Sequence, residues 1–231
     1  MNNEPDFGFV LPHMVYWGWL AIMPIVFIFL TRWQEKSHPV VPTPDEETAA
    51  DLLAEEDPAL HVENGFTRII DALSKWSGIF VAFWTVNAVC AYFYEVVMRY
   101  IFNQPTIWVH ESCFLLFGMQ YLLAGAYTLL TGGHVRVDVM YVKLPPRGRV
   151  GMDIFTSVFF FIFTIALLGT SWGFFWGSYD MNETTVETWG IQYWPIKGMM
   201  VLGAVMLLLA GISKLTKDIV LFHRMGKEGR A

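Results

Sequence analysis

Hydrophobic residues in this chain gather in long unbroken blocks, not in alternating positions or narrow stripes. Five blocks stand out: Val10–Leu30, Trp76–Ile101, Ile107–Leu130, Ile154–Trp176 and Trp194–Ile212. Each runs to about 20 residues, the length a helix needs to cross roughly 30 Å of hydrocarbon. Segments of about ten alternating residues, the mark of a membrane barrel, do not recur. The pattern predicts an all-α integral membrane protein: a four-span helical core plus one extra N-terminal transmembrane helix. One stretch departs from it. Val135, Val137 and Val139 alternate with Arg136 and Asp138, which in isolation suggests a half-buried strand, but no other segment offers it a partner.

The polar intervals divide the chain. Residues 10–31 form the first span, 32–64 a linker, 65–221 the four-span domain and 222–231 a tail. Within the linker, Thr43, Pro44, Asp45 and Glu46 spell a capping box with proline at the first helical position, predicting a short solvated helix that ends before Pro58. Phe66, Ile69, Ile70 and Leu73 recur at helical spacing, which predicts an interfacial amphipathic helix leading into the second span. The first span has an acidic start, "MNNEPDFGF", and a basic stop, "FLTRWQEK", so it is expected to be retained and not cleaved as a signal peptide.

Charge then gives an orientation. The net charge of -6 belongs to one segment: Trp33–Asn64 carries nine acids against Lys36 alone. It therefore argues nothing about nucleic acid, and none is expected as a partner. With the N-terminus outside, 13 of the 15 Lys and Arg residues fall on the inner side, leaving Arg99 and Lys197 near the outer surface. The positive-inside bias therefore predicts N-terminus out and C-terminus in.

Candidate chemistry is sparse. Of six histidines, His110 and His134 stand at opposite ends of the third span, about 36 Å apart at the helical rise, so they cannot hold a haem between them. That weakens the alternative of a membrane anchor for a redox complex. Cys90 and Cys113 lack metal-type spacing, and no Walker loop, HExxH or GxGxxG occurs. The chain is expected to be no enzyme and to need no metal or cofactor. What the spans do carry is packing chemistry. Gly169, Gly173 and Gly177 form a smooth stripe along the fourth span. Asn87 and Gln120 lie at similar depth below the outer ends of the second and third spans and are expected to bond each other. Near those outer ends, Glu95 and Arg99 are spaced i,i+4, and Glu111 falls within the same depth band. The expectation is an arginine clamped by two carboxylates; an ion relay is the alternative, disfavoured by the shallow depth.

These residues resemble a family. "RYIFNQPTIWVHE" followed by "LLAGAYTLLTGGHVRVDVMYVKLPPRGR" is similar to the signature of the small membrane subunit of tripartite ATP-independent periplasmic (TRAP) transporters. The positions carrying it are Arg99, Tyr100, Asn103, Pro105, Trp108, Glu111, His134, Arg136 and Asp138, and the likeness spans roughly Asp71–Leu221. Two features depart from it: His110-Glu111 stands where many members have paired acids, and the first span with its acidic linker is additional. The resemblance implies a non-catalytic scaffold in the bacterial inner membrane, driven by an ion gradient, commonly sodium. Its implied partners are a large membrane subunit and a periplasmic protein that delivers an organic acid. It also implies that residues 132–149 form an inner-surface elbow. This agrees with the residues of the elbow, which includes His134, Arg136, Asp138, Arg147 and Arg149: Arg136, Lys143, Arg147 and Arg149 are expected to meet anionic lipid headgroups, while the valines and Tyr141 face the acyl boundary. Glu95, Arg99, Asn103, Trp108 and Glu111 are then assigned to architecture at the outer surface and not to substrate.

Overall fold

The computed structural model describes residues 9–37, 65–133 and 144–228. They form five helices: α1 His13–Ser37, α2 Gly65–Tyr100, α3 Val109–Leu130, α4 Pro146–Asp180 and α5 Trp194–Glu228. All five are long and apolar enough to cross a membrane. The all-α, five-span class expected from the hydrophobic blocks is what the chain adopts. The linker helix expected near Asp45 and the elbow residues His134, Arg136 and Asp138 lie outside the described residues.

The shortest span, α3, sits at the centre, packed against α2 on one side and α5 on another. It contributes Val109, Leu115, Leu116, Met119, Leu123 and Ala126 to the core. On the far side of α5 lies α4, and α1 packs along α2. Proline at the first position of α4 follows an extended Pro145, so the fixed proline torsion opens the helix where its missing amide hydrogen is not needed. Turns on the side expected to face outward use Asn103 and Asn182 with φ of 54° and 46°, a left-handed conformation that Asn tolerates better than most residues.

Two expectations change here. The amphipathic segment at 66–73 is no separate interfacial helix: it is the first two turns of the unbroken 36-residue α2. Phe66, Ile69 and Leu73 stay exposed, while Thr67, Ile70 and Ser74 are buried. Inside a bilayer, lipid is as apolar as a protein core, so the most hydrophobic face need not be the packed one. The buried stripe continues through Ser77, Gly78, Val81, Trp84 and Ala88. The tail likewise is not separate, because α5 continues to Glu228.

Glycines mark the closest approaches, though not the ones in the conspicuous stripe. A Cβ at Gly203 would stand 2.8 Å from the Leu122 carbonyl oxygen, so α3 and α5 touch backbone to backbone there. At Gly169, Gly173 and Gly177 a Cβ would meet nothing within 4 Å. No described helix of this chain uses that stripe.

Candidate functional site

The outer ends of α2 and α3 gather most of the residues singled out by sequence. Glu95 is buried, yet its carboxylate has three donors. The Arg99 guanidinium pairs with it one turn on. Thr106 donates its backbone N–H at 3.0 Å and its hydroxyl as well. Thr106 lies in the descending loop that follows Asn103, so Glu95 fastens that loop to α2. Sequence inspection missed Thr106, since a threonine eleven residues away in an irregular loop carries no spacing signal.

Glu111 does not join this group. It is 6% exposed, and neither of its carboxylate oxygens has a hydrogen-bond partner. The reason is an offset between helices. The Cys113 thiol reaches the Ala88 carbonyl at 4.0 Å, which sets those two residues level. Glu95 then lies about 10 Å above that level and Glu111 only about 3 Å above it, by helical rise. α2 projects beyond the start of α3, and the expected clamp of two carboxylates on Arg99 is a pair.

The same offset separates Asn87 from Gln120. Gln120 donates to the Thr85 hydroxyl at 2.7 Å, and Asn87 accepts the Trp19 indole N–H at 2.8 Å. Residues two apart on a helix point to different faces. With Thr85 turned to α3, Asn87 is turned to α1.

Around these groups lies an aromatic belt. Trp108 stands 6.1 Å from Tyr94 and 6.5 Å from Trp189, and Trp189 stands 5.2 Å from Tyr16. Tyr16 donates its hydroxyl to the Ser112 carbonyl at 2.8 Å. Trp108, predicted as an outer architectural residue, thus joins α2, the α4–α5 loop and the N-terminal segment. In that loop, the Lys197 ammonium pairs with Glu183 and holds its carboxyl below the usual carboxylate range.

A second polar cluster sits at the opposite end. Lys217 of α5 is 4% exposed and donates to Asp71 of α2 at 2.6 Å. Ser213 donates to the other Asp71 oxygen at 2.8 Å. The charge count sets Lys217 among the inner-side cations without saying whether it is solvated; the structure buries it. At the start of α4, Arg147 lies over the Phe222 ring at 4.8 Å and Arg149 donates to the Leu144 carbonyl at 3.1 Å. These two residues, expected in the elbow, therefore engage the protein itself.

Residues 88–221, more than half of the chain, match the family described as tripartite ATP-independent periplasmic transporters, DctQ component. The chain belongs to this family. It is an inner-membrane component of a TRAP transporter, as the outer-end signature implied. A relative is the C4-dicarboxylate TRAP transporter small permease protein DctQ of Vibrio cholerae serotype O1 (strain ATCC 39315 / El Tor Inaba N16961), 26% identical over 129 residues. That alignment covers 55% of this chain and 55% of the relative, so the chain spans about half the length of the protein it matches. Within the TRAP frame, Glu95, Arg99 and Trp108 fall in the matched stretch, whereas α1 and the Asp71 end of α2 lie before it.

Proposed function

We propose that the chain is the scaffold subunit of a TRAP transporter, importing an organic acid by an ion gradient, sodium being the expected ion. A large membrane subunit carries the substrate and ion sites, and a periplasmic binding protein delivers the substrate. The family match over residues 88–221 carries this reading. The polar inventory supports the division of labour: near mid-membrane, Thr85, Asn87 and Gln120 are engaged with Trp19 or with one another. Such a set offers little with which to desolvate a carboxylate and a cation together. The open face of α4 at Gly169, Gly173 and Gly177 is the surface assigned to the large subunit, because close helix approach suits small residues. Exposed Tyr100, Ile101 and Phe102 at the top of α2 are assigned to the outer surface presented to the binding protein.

Reconstitution tests this directly. In liposomes the chain alone should take up no organic acid under a sodium gradient, and uptake should appear once both partners are added, without ATP. Uptake by the isolated chain would refute the scaffold role, and a requirement for ATP would refute the transport class.

Orientation is part of the same proposal: N-terminus and Asp180–Glu187 outside, His223 inside. A reporter active only in the periplasm should work when fused before Val10 or within Asp180–Glu187, and stay silent after His223. Reversed signals would overturn the assignment of inner and outer ends.

A further inference from the structure

Residue 24 in α1 is proline, so the helix lacks the amide hydrogen that would bond the Leu20 carbonyl. An unbonded carbonyl is costly in hydrocarbon, where water cannot replace the missing donor. Trp84 of α2 supplies one: its indole Nε1 donates to the Leu20 oxygen at 2.9 Å. Both Trp84 and Pro24 are almost fully buried. The arrangement repeats toward the outer end. Trp189 donates to the Leu11 carbonyl at 2.9 Å and Trp108 to the Phe9 carbonyl at 3.0 Å. Phe9 and Leu11 precede the helix, so their carbonyls have no intrahelical donor. Three indoles of the core thus address three main-chain oxygens of one segment, each lacking its ordinary helical donor.

We propose that this face of the core docks the chain's own residues 9–37 by reading their backbone, and that Pro24 with Trp84 forms the key that sets the register. The carbonyls one turn away, those of Tyr16 and Pro24, lie inside α1 and have helical donors, so a shift by one turn would set the Trp84 indole against an occupied acceptor. The shift would also pull Tyr16 from the Ser112 carbonyl and Trp19 from Asn87. It would displace His13 as well, whose Nε2 lies 3.1 Å from the Trp189 carbonyl. Registered in this way, α1 is a fixed wall of the outer aromatic belt. The docked segment, with Pro24 and Trp84, lies before the matched family region, and the inference stands independently of the transport assignment.

A double-mutant cycle in the full-length chain tests it. The background is Cys90→Ser, which leaves the buried Cys113 as the thiol reporter beneath the belt. Trp84→Phe should lower the melting temperature and raise the rate of Cys113 alkylation several-fold. Pro24→Ala restores the missing amide hydrogen, so Trp84→Phe in that background should produce a clearly smaller change in both readouts. Equal changes in the two backgrounds would overturn the key. If Trp84→Phe alone yields no folded protein, recovery of folded protein on adding Pro24→Ala supports the proposal, and failure to recover it refutes it.

Discussion

Asp71→Ala should destabilise the folded chain by about 3–5 kcal/mol, the usual cost of removing one partner from a buried ion pair. Lys217 has a side chain only 5% exposed, so its ammonium would be stranded between helices with no carboxylate to balance it. Ser213 cannot compensate, since its hydroxyl now donates to Asp71 and would lose its acceptor as well. Combining Asp71→Ala with Lys217→Met removes both charges and should restore most of the loss. The measurement is thermal unfolding in nanodiscs, with the exposed Lys75→Ala as a control expected to stay near wild type. If Asp71→Ala is as mild as that control, the pair contributes nothing and the inner ends of α2 and α5 are held by packing alone.

At the outer end, the carboxylate should matter more than the guanidinium. Glu95→Ala deletes the acceptor of three donors, one of them a backbone N–H that fixes the loop before α3. Hydrogen bonds to a charged group contribute about 1.5–3 kcal/mol each when they are net stabilising. Arg99 is half exposed, and its removal leaves both Thr106 donors in place, so Arg99→Ala should cost about 1 kcal/mol or less. Glu111→Gln should add to Arg99→Ala without coupling, because neither Glu111 oxygen has a hydrogen-bond partner that could link it to Arg99. Strong coupling between them would restore the clamp of two carboxylates that the sequence spacing suggested. Retention of the large subunit on a tagged chain provides a second readout for each variant.

The hydrophobic blocks announced the spans because block length answers to bilayer thickness, a constraint each helix meets on its own. The signature that starts at Arg99 announced the family for a related reason: Arg99, Asn103, Trp108 and Glu111 are close in sequence. Depth matching between helices was far less legible. Counting residues from the ends of α2 and α3 treated both as starting at one surface, yet the level contact of Cys113 with Ala88 shows α2 running ahead. That single offset undid both the Asn87–Gln120 pair and the place given to Glu111. The Asp71–Lys217 pair was hidden differently. Its members are separated by most of the chain, and charge counting places a cation on one side of a membrane without saying whether it is solvated. Gly203, which no regular spacing marked, makes the backbone contact inside the chain, while a Cβ at 169, 173 or 177 would meet nothing within 4 Å.

The way α1 is held has a consequence for how this helix can change over generations. The core addresses this segment through three carbonyl oxygens, which every residue type possesses, and through the side chains of His13, Tyr16 and Trp19. Side chains along its outward surface, such as Met14, Ile22, Ile25 and Phe29, are exposed. Substitution there answers only to the surrounding lipid, while Pro24 is bound to its place by the carbonyl it frees. A helix seated partly by its backbone can therefore drift over its whole lipid-facing side and keep its seat. For such a segment, shape would preserve ancestry long after spelling had lost it.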